Sequence, residues 1–584
     1  MGWLLALCAC GTAASPAAPH ASPSLDAASR VRSDENAKVL FELEAQFNPE
    51  QASADGMDGH DDAIVDLNPN LTERASGAYR NAERILADRL AHENDHAVRA
   101  DLEILMHAAQ LQRERIELDD RYSVPLIDVG AIVFSGMTAL LDDRVPEARR
   151  RLALTRLRKY AGMDPGRAPL VELAMQRTRA QLARPGLLFP SRPQVEKMLG
   201  TAQFFANGIG ELLAKYSIAG YEEPLARWTT QLATYTQFVH DTILPRARSD
   251  FRQPPKLYQL ALNERGIDLP AREVAAKARQ VFGQVQQQMQ LLAPRVAREK
   301  GLGATDYRDV IRALKRNQLE GDALLATYRQ RITDLEEIVR REHLVTLPAR
   351  AMRIRLATDA ESARLAAPFF IPPRILGNTG EQGEFVLPTR VASDPTKRLD
   401  DFSYPAASWV LAAHEGRPGH DLQFSTMVEK KLTTARAIFA DNSTNAEGWG
   451  LYAEELVRPY LPPEGQLICL QFRLMRAAHA FLDIELNLGL TTREEARRVL
   501  MEDAAFSRAW ADQSVERYTF IMPAQAPSYF YGFMRLSELR ADTGRAMGAR
   551  FNLQSFHDFV LAQGLAPPAS IRRAVFDEFV PKRG

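Results

Sequence analysis

Apolar residues recur at three- and four-residue spacing through most of this chain, the repeat of helices buried along one face. From Ala37 to Ala183 the pattern is interrupted near Gly56 to Asp62, and the run from Arg80 to Leu118 keeps it throughout. Pro185, Pro190 and Pro193 punctuate a connection, Gln194 to Thr242 resumes as helices, and Pro245 and Pro254-Pro255 break the chain again. Ala271 to Leu292, opened by Pro270 and closed near Pro294, reads as one long amphipathic helix, and Asp322 to Glu342 as another. Between Pro348 and Pro405 prolines and glycines gather around a short Glu384-Phe385-Val386-Leu387 run, which predicts a strand. That strand is expected either as an edge on which an extended peptide is laid or as part of an ordinary hairpin. Pro405 suits the first position of a helix reaching Ala413. The expected fold is mostly α: a large two-lobed helical protein with a small β element ahead of the helix bearing the motif below. Its expected divisions are a leader and tether over 1–29, a helical region over 30–250 and a site-bearing region over 251–584.

The segment His414-Glu415-Gly416-Arg417-Pro418-Gly419-His420 sets a carboxylate beside two imidazoles. It reads as a stretched zinc-hydrolase motif, because zinc takes imidazole and carboxylate ligands and a catalytic zinc keeps one position open. In the compact His-Glu-x-x-His form, histidines four apart share a helix face. At about 3.6 residues per turn, a six-residue spacing rotates the second histidine by roughly 240°, so an unbroken helix cannot bring both rings to one metal. The helix must bulge or break, and Gly416, Pro418 and Gly419 supply the means. The alternative is a helix ending at Gly416 and a proline turn carrying an incidental histidine.

Downstream, Thr444 to Glu455 reads as a second helix whose first turn offers Glu447 as a third ligand. Thr444 and Glu447 also have the spacing of a capping box, which needs no metal. A literal His92-Glu93-Asn94-Asp95-His96 occurs far upstream, but its flanks, Asp88-Arg89-Leu90-Ala91 and Ala97-Val98-Arg99-Ala100-Asp101, mark a solvated helical face.

Together these residues resemble a bacterial family known as domain of unknown function 885, grouped with gluzincin-like zinc metallopeptidases. The resemblance rests on His414, Glu415, Pro418, Gly419 and His420, then Glu447, Gly448, Trp449 and Tyr452. Glu516-Arg517-Tyr518, Pro523, Gln525, Tyr529, Gly532 and Phe556-His557 extend it, so that it spans roughly residues 250 to 584. One departure is Asn487, where an Asp-x-x-x-His pattern after Asp483 leads one to expect histidine.

Of the 584 residues 46% are hydrophobic and 25% charged, and 73 basic side chains nearly cancel 74 acidic ones, which excludes a global field favouring nucleic acid. The apolar start, Met1 to Gly11, is shorter than the ~20 residues of a membrane span. Leu7-Cys8-Ala9-Cys10 resembles a bacterial lipobox with Cys10 lipidated, though the start lacks a positive n-region. The Ala/Ser/Pro-rich stretch to about Ser29 then serves as a tether. The expectation is an exported, periplasmic or membrane-anchored lipoprotein; the alternative is a cytoplasmic protein with a disordered apolar start. Cys469 is left without a disulfide partner and is expected as a small buried hydrophobe.

The expected function is zinc-dependent hydrolysis of peptides, with His414, His420 and Glu447 on the metal and Glu415 as general base. Peptide as the substrate follows from the resemblance; spacing alone leaves another amide or an ester open, as well as a non-catalytic, lipid-anchored binding protein. Tyr529 and Tyr518 are candidates for the donor to the tetrahedral oxyanion, Tyr529 preferred. Arg517 and Tyr518 are candidate substrate-binding groups, Arg517 through a carboxylate clamp or else as a structural ion pair. His479 and Asp483, four apart, form a candidate pair behind the metal, and His557 is expected to cap or pack.

Overall fold

Helices dominate the computed structural model, which describes residues 26–582 apart from 55, 56, 58, 144, 358–366, 376, 377, 389–398 and 441. The lipobox reading, with Cys8 and Cys10, lies outside the described residues. The first helix, Ala27–Phe47, begins ten residues before the apolar pattern at Ala37, because the Asp26 carboxylate caps it by accepting from the Ser29 amide at 2.7 Å. The Arg80 to Leu118 run folds as two helices, Leu71–His92 and His96–Tyr122. Glu93 leaves the first in an extended conformation, and Asp95 caps the second through the Ala97 and Val98 amides.

Buried side chains between Leu67 and Ile243 form one core, centred on Trp228, Tyr160 and Tyr235. Two further cores, one of them larger, lie from Tyr258 onward, where Ala271–Lys300 packs along Pro463–Asn487. The apolar pattern predicts the first of these helices to end near Pro294, yet it runs on to Lys300 and is closed by Gly301 at φ +64°. Ala293, Val296 and Ala297 are buried, so continued packing of that face outweighs the hydrogen bond lost at proline. The Ala27–Tyr122 helices share a small core with Ala435. There the buried Asp101 accepts from Arg436 Nε at 2.6 Å, Thr433 Oγ1 at 2.7 Å and Ser33 Oγ at 2.5 Å, tying this part of the chain to the site-bearing half.

Three short strands form the sheet: β1 (Arg353–Leu356), β2 (Phe369–Ile371) and β3 (Glu384–Leu387), in the order β1-β3-β2. The predicted run is β3, but it is the central strand, parallel to β1 and antiparallel to β2. Its backbone is committed on both sides, so it cannot serve as the expected edge for a peptide; β1 and β2 hold the edges.

Candidate metal centre

Pro405 opens the helix Pro405–Leu411, and the next five residues, Ala412–Gly416, form a π turn. A π turn inserts one extra residue per turn and changes the direction of every side chain after it. The chain then leaves the helix at Arg417 (φ −119°, ψ 130°), and a new helix, His420–Lys430, starts at the second histidine. The six-residue spacing is therefore accommodated by both a bulge and a break. A Cβ at Gly419 would lie 1.9 Å from the His414 carbonyl oxygen, so the return is open only to glycine. Arg417, buried in the break, donates at 2.8 Å to both Asp421 and Glu336.

The helix Ser443–Val457 is capped by Asn442, which accepts from the Asn445 amide at 2.9 Å; Thr444 is buried and makes no capping box. Glu447 is instead directed at the histidines. Its Oε2 lies 3.5 Å from Nε2 of His414 and 3.5 Å from Nε2 of His420, and the ligand atoms of the three all fall within 4.8 Å. A separation of 3.5 Å is long for a hydrogen bond. It suits a shared ion: ligands held at about 2.0–2.1 Å around a tetrahedral zinc stand about 3.3 Å apart.

Three contacts fix this geometry. Glu454 accepts from His414 Nδ1 at 2.7 Å, orienting the ring so that Nε2 faces Glu447. Trp449 Nε1 donates to the Pro418 carbonyl at 2.9 Å, pinning the break onto the helix that carries Glu447. Gly448 meets Gly532 of the helix Pro527–Met547 backbone to backbone; a Cβ on Gly532 would lie 1.9 Å from the Thr444 carbonyl. That approach brings Tyr529 over His414, their rings stacked at 6.2 Å. From the sheet, Phe370 of β2 stacks on His420 at 6.3 Å.

Burial opposes protonation of His414, but Glu447 and Glu454 outweigh it and push its pKa up to about 10. Metal uptake must displace that proton. Burial would raise the Glu447 carboxyl, yet the facing imidazoles hold it well below the usual range. Desolvation lifts the Glu415 carboxyl above its ordinary value despite the pull of His414 and His420, which strengthens it as a base.

The family description for bacterial proteins of unknown function, DUF885, matches residues 49–575. The chain belongs to this family. The match begins far ahead of residue 250, where the resemblance was expected to start, so the helical region from residue 49 onward belongs to the DUF885 unit as well. No curated protein matches the chain. The fold is shared with two solved structures of candidate lipoproteins, the first described as of unknown function. The one from Shewanella oneidensis has a TM-score of 0.75 at 18% identity, covering 93% of this chain and 99% of its own. The one from Colwellia psychrerythraea has a TM-score of 0.73 at 18% identity, covering 94% of this chain and 99% of its own.

Other residues of the DUF885 signature have structural work. His557 is wholly buried: Nδ1 donates to the Leu344 carbonyl at 2.6 Å and Nε2 accepts from the Tyr452 hydroxyl at 2.8 Å. Tyr518, a candidate for contact with substrate, lies in the core at 0% exposure against His479, so it has no surface to offer a substrate. His479 and Asp483 do not pair. His479 faces Trp510 and Tyr518, while Asp483 accepts from Tyr258 Oη at 2.8 Å and from the Ala524 amide. Asn487 donates to Asp483 and to the Tyr518 carbonyl, so its place is in this core rather than at the histidines. The upstream His92 is 78% exposed and sits where its helix ends, and no metal-ligating cluster forms around it among the described residues. Sequence reading missed Glu454, although seven residues after Glu447 places it two turns along the same helix face. It also missed Arg476, a charge set among the apolar Leu474, Met475, Ala477 and Ala478.

Glu454→Gln keeps the shape and removes the charge on His414, so zinc affinity measured by competition with a chromogenic chelator should fall about 10- to 100-fold; unchanged affinity would remove Glu454 from the centre. Burial also lowers the His557 pKa from 6.5 to about 4. As pH falls from 6.5 to 4 the unfolded chain takes up a proton that the folded chain refuses, so stability falls, by up to about 3 kcal/mol from this group. Denaturant titrations across that window should show a shallower loss in His557→Gln; an identical slope would contradict the buried neutral ring.

Proposed function

We propose that this chain is an exported, zinc-dependent hydrolase of peptides. The observation that carries the reading is the convergence of His414 Nε2, His420 Nε2 and a Glu447 carboxylate oxygen within 4.8 Å, the oxygen 3.5 Å from each imidazole nitrogen, a spacing suited to one tetrahedral ion. The donor set, two imidazoles and one carboxylate, is that of a catalytic zinc with an open fourth position. A bound zinc would supply Lewis acidity and lower the pKa of water toward about 7.

The chain's own residues divide the remaining work. Glu415, next to His414 and joined to no hydrogen-bond partner among the described residues, takes the proton of the attacking water and passes it to the leaving nitrogen. Tyr529, stacked on His414, offers its hydroxyl to the oxyanion. Desolvation, together with Glu447, raises the tyrosine pKa, which keeps that hydroxyl protonated as a donor. Two neighbours of the same fold are described as candidate lipoproteins, which supports export and attachment through Cys10. No described helix is long and apolar enough to cross a membrane.

The test is hydrolysis of a mixed peptide library, with an ester series in parallel, by zinc-loaded protein. Glu415→Gln should keep its metal and lose about 10²- to 10⁴-fold in rate, and Tyr529→Phe about 10²- to 10³-fold. Ester cleavage without peptide cleavage would move the substrate class. Tight metal binding with no turnover of either would favour a non-catalytic, lipid-anchored binding protein.

A further inference from the structure

Two guanidinium groups border the candidate metal centre with no carboxylate at ion-pair distance among the described residues. Arg476, on Pro463–Asn487, is 9% exposed and its Cζ sits 3.9 Å over the ring of Tyr529, the tyrosine that stacks on His414. Its Nε is buried without a partner, and among the described residues no carboxylate pairs with it. Arg517 lies over the same ring at 5.9 Å, and its partners are neutral: the Gln525 side-chain oxygen and the Tyr529 hydroxyl. Its Nε is also buried and unpartnered. His479, one turn beyond Arg476, adds two ring nitrogens in the same condition.

The neighbouring arginine, whose Nε is likewise unpartnered, differs in having an acid. Arg473, one turn earlier on the same helix, has Glu455 at 3.6 Å. Of the nearby acids, Glu447 faces the two histidines and Glu454 is bound to His414; Glu415 attracts Arg476, and Glu447 attracts Arg517, through space alone, and no ion pair joins them among the described residues. Taking a guanidinium out of water without an anion is strongly unfavourable. Two such groups on one tyrosine, among several orphaned polar atoms, mark a place where an anion arrives with the ligand. Arginine forks match carboxylates in particular, through paired N–H···O bonds.

We propose that Arg476 and Arg517 form a clamp for a substrate carboxylate held beside the scissile bond, chemically the free C-terminus of a peptide. The clamp touches the tyrosine that is itself stacked on His414, its ring 3.9 Å from the Arg476 guanidinium and 6.2 Å from the imidazole, so the anion lies within about three residues of extended chain of the reacting carbonyl. A C-terminal α-carboxylate on the residue that leaves meets that requirement; an acidic side chain at the same place is the other source. The chain then removes residues from the C-terminal end of short peptides. This inference rests on the peptide-hydrolase reading for its chemistry, but the clamp can be tested without turnover.

Metal-free full-length protein is titrated calorimetrically with N-acetylphenylalanine and with its amide. The acid should bind at least about tenfold more tightly, since each 1.4 kcal/mol is tenfold, and Arg476→Met and Arg517→Gln, checked for native circular dichroism, should each abolish the preference. Equal binding of acid and amide, or binding of neither, overturns the clamp. In parallel, zinc-loaded protein is given a neutral tripeptide as free acid, as amide, and as an amide ending in glutamate. Cleavage of the free acid alone supports the C-terminal source, and cleavage of the glutamate amide as well supports a side-chain source. Equal cleavage of acid and neutral amide overturns the clamp while leaving the peptidase reading intact. Selective binding with no cleavage of any peptide keeps the clamp and removes the peptidase reading.

Discussion

Two imidazoles six residues apart can face one point only if the helix between them gives up its regular hydrogen bonding. In this chain the π turn at Ala412–Gly416 and the extended step at Arg417 make that sacrifice. The backbone groups freed in this way need new partners and a rigid surround, because irregular backbone in a protein interior is otherwise costly. Much of the surrounding structure supplies them. Trp449 caps the Pro418 carbonyl, Arg417 spans Asp421 and Glu336, and the Gly448–Gly532 crossing draws two helices close enough to deliver Glu447 and Tyr529 to the same side.

That constraint also accounts for the charge arrangement. A centre of two histidines and a glutamate, with a second glutamate behind it and a third beside it, concentrates negative charge when the imidazoles are neutral. Arg476, Arg517 and His414 all contact the ring of Tyr529, so the tyrosine links the metal ligands to two cations that no carboxylate pairs with among the described residues. A peptide carrying a terminal carboxylate would place its two polar groups, the reacting carbonyl and the anion, next to this one ring.

The local chemistry was legible in the sequence because it depends on short-range rules. The rotation imposed by a six-residue spacing, with Gly416, Pro418 and Gly419 inside it, requires a bulge or break on local grounds alone, and Pro405 marks its helix start. What stayed hidden depends on distant partners. Pro294 lies inside a helix because Ala293, Val296 and Ala297 continue a buried face, a packing gain that local propensity does not contain. The Leu71–His92 helix stops before His96 because Asp95 caps the next helix, which overrides an unbroken apolar pattern. The place of β3 at the centre of its sheet is a matter of long-range pairing. Glu447 carried two readings from sequence, cap or ligand, and Asn442 separates them by taking the cap itself. Arg476 was unremarked, since an arginine on a helix is ordinary until its burial is known.

The most direct test of the central claim is anomalous diffraction at the zinc edge from crystals of the full chain grown with one equivalent of zinc. The account predicts one strong peak among His414, His420 and Glu447, at about 2.0–2.2 Å from each ligand atom, and none near His92 and His96. A peak elsewhere, or three ligands left apart with no density between them, would contradict it.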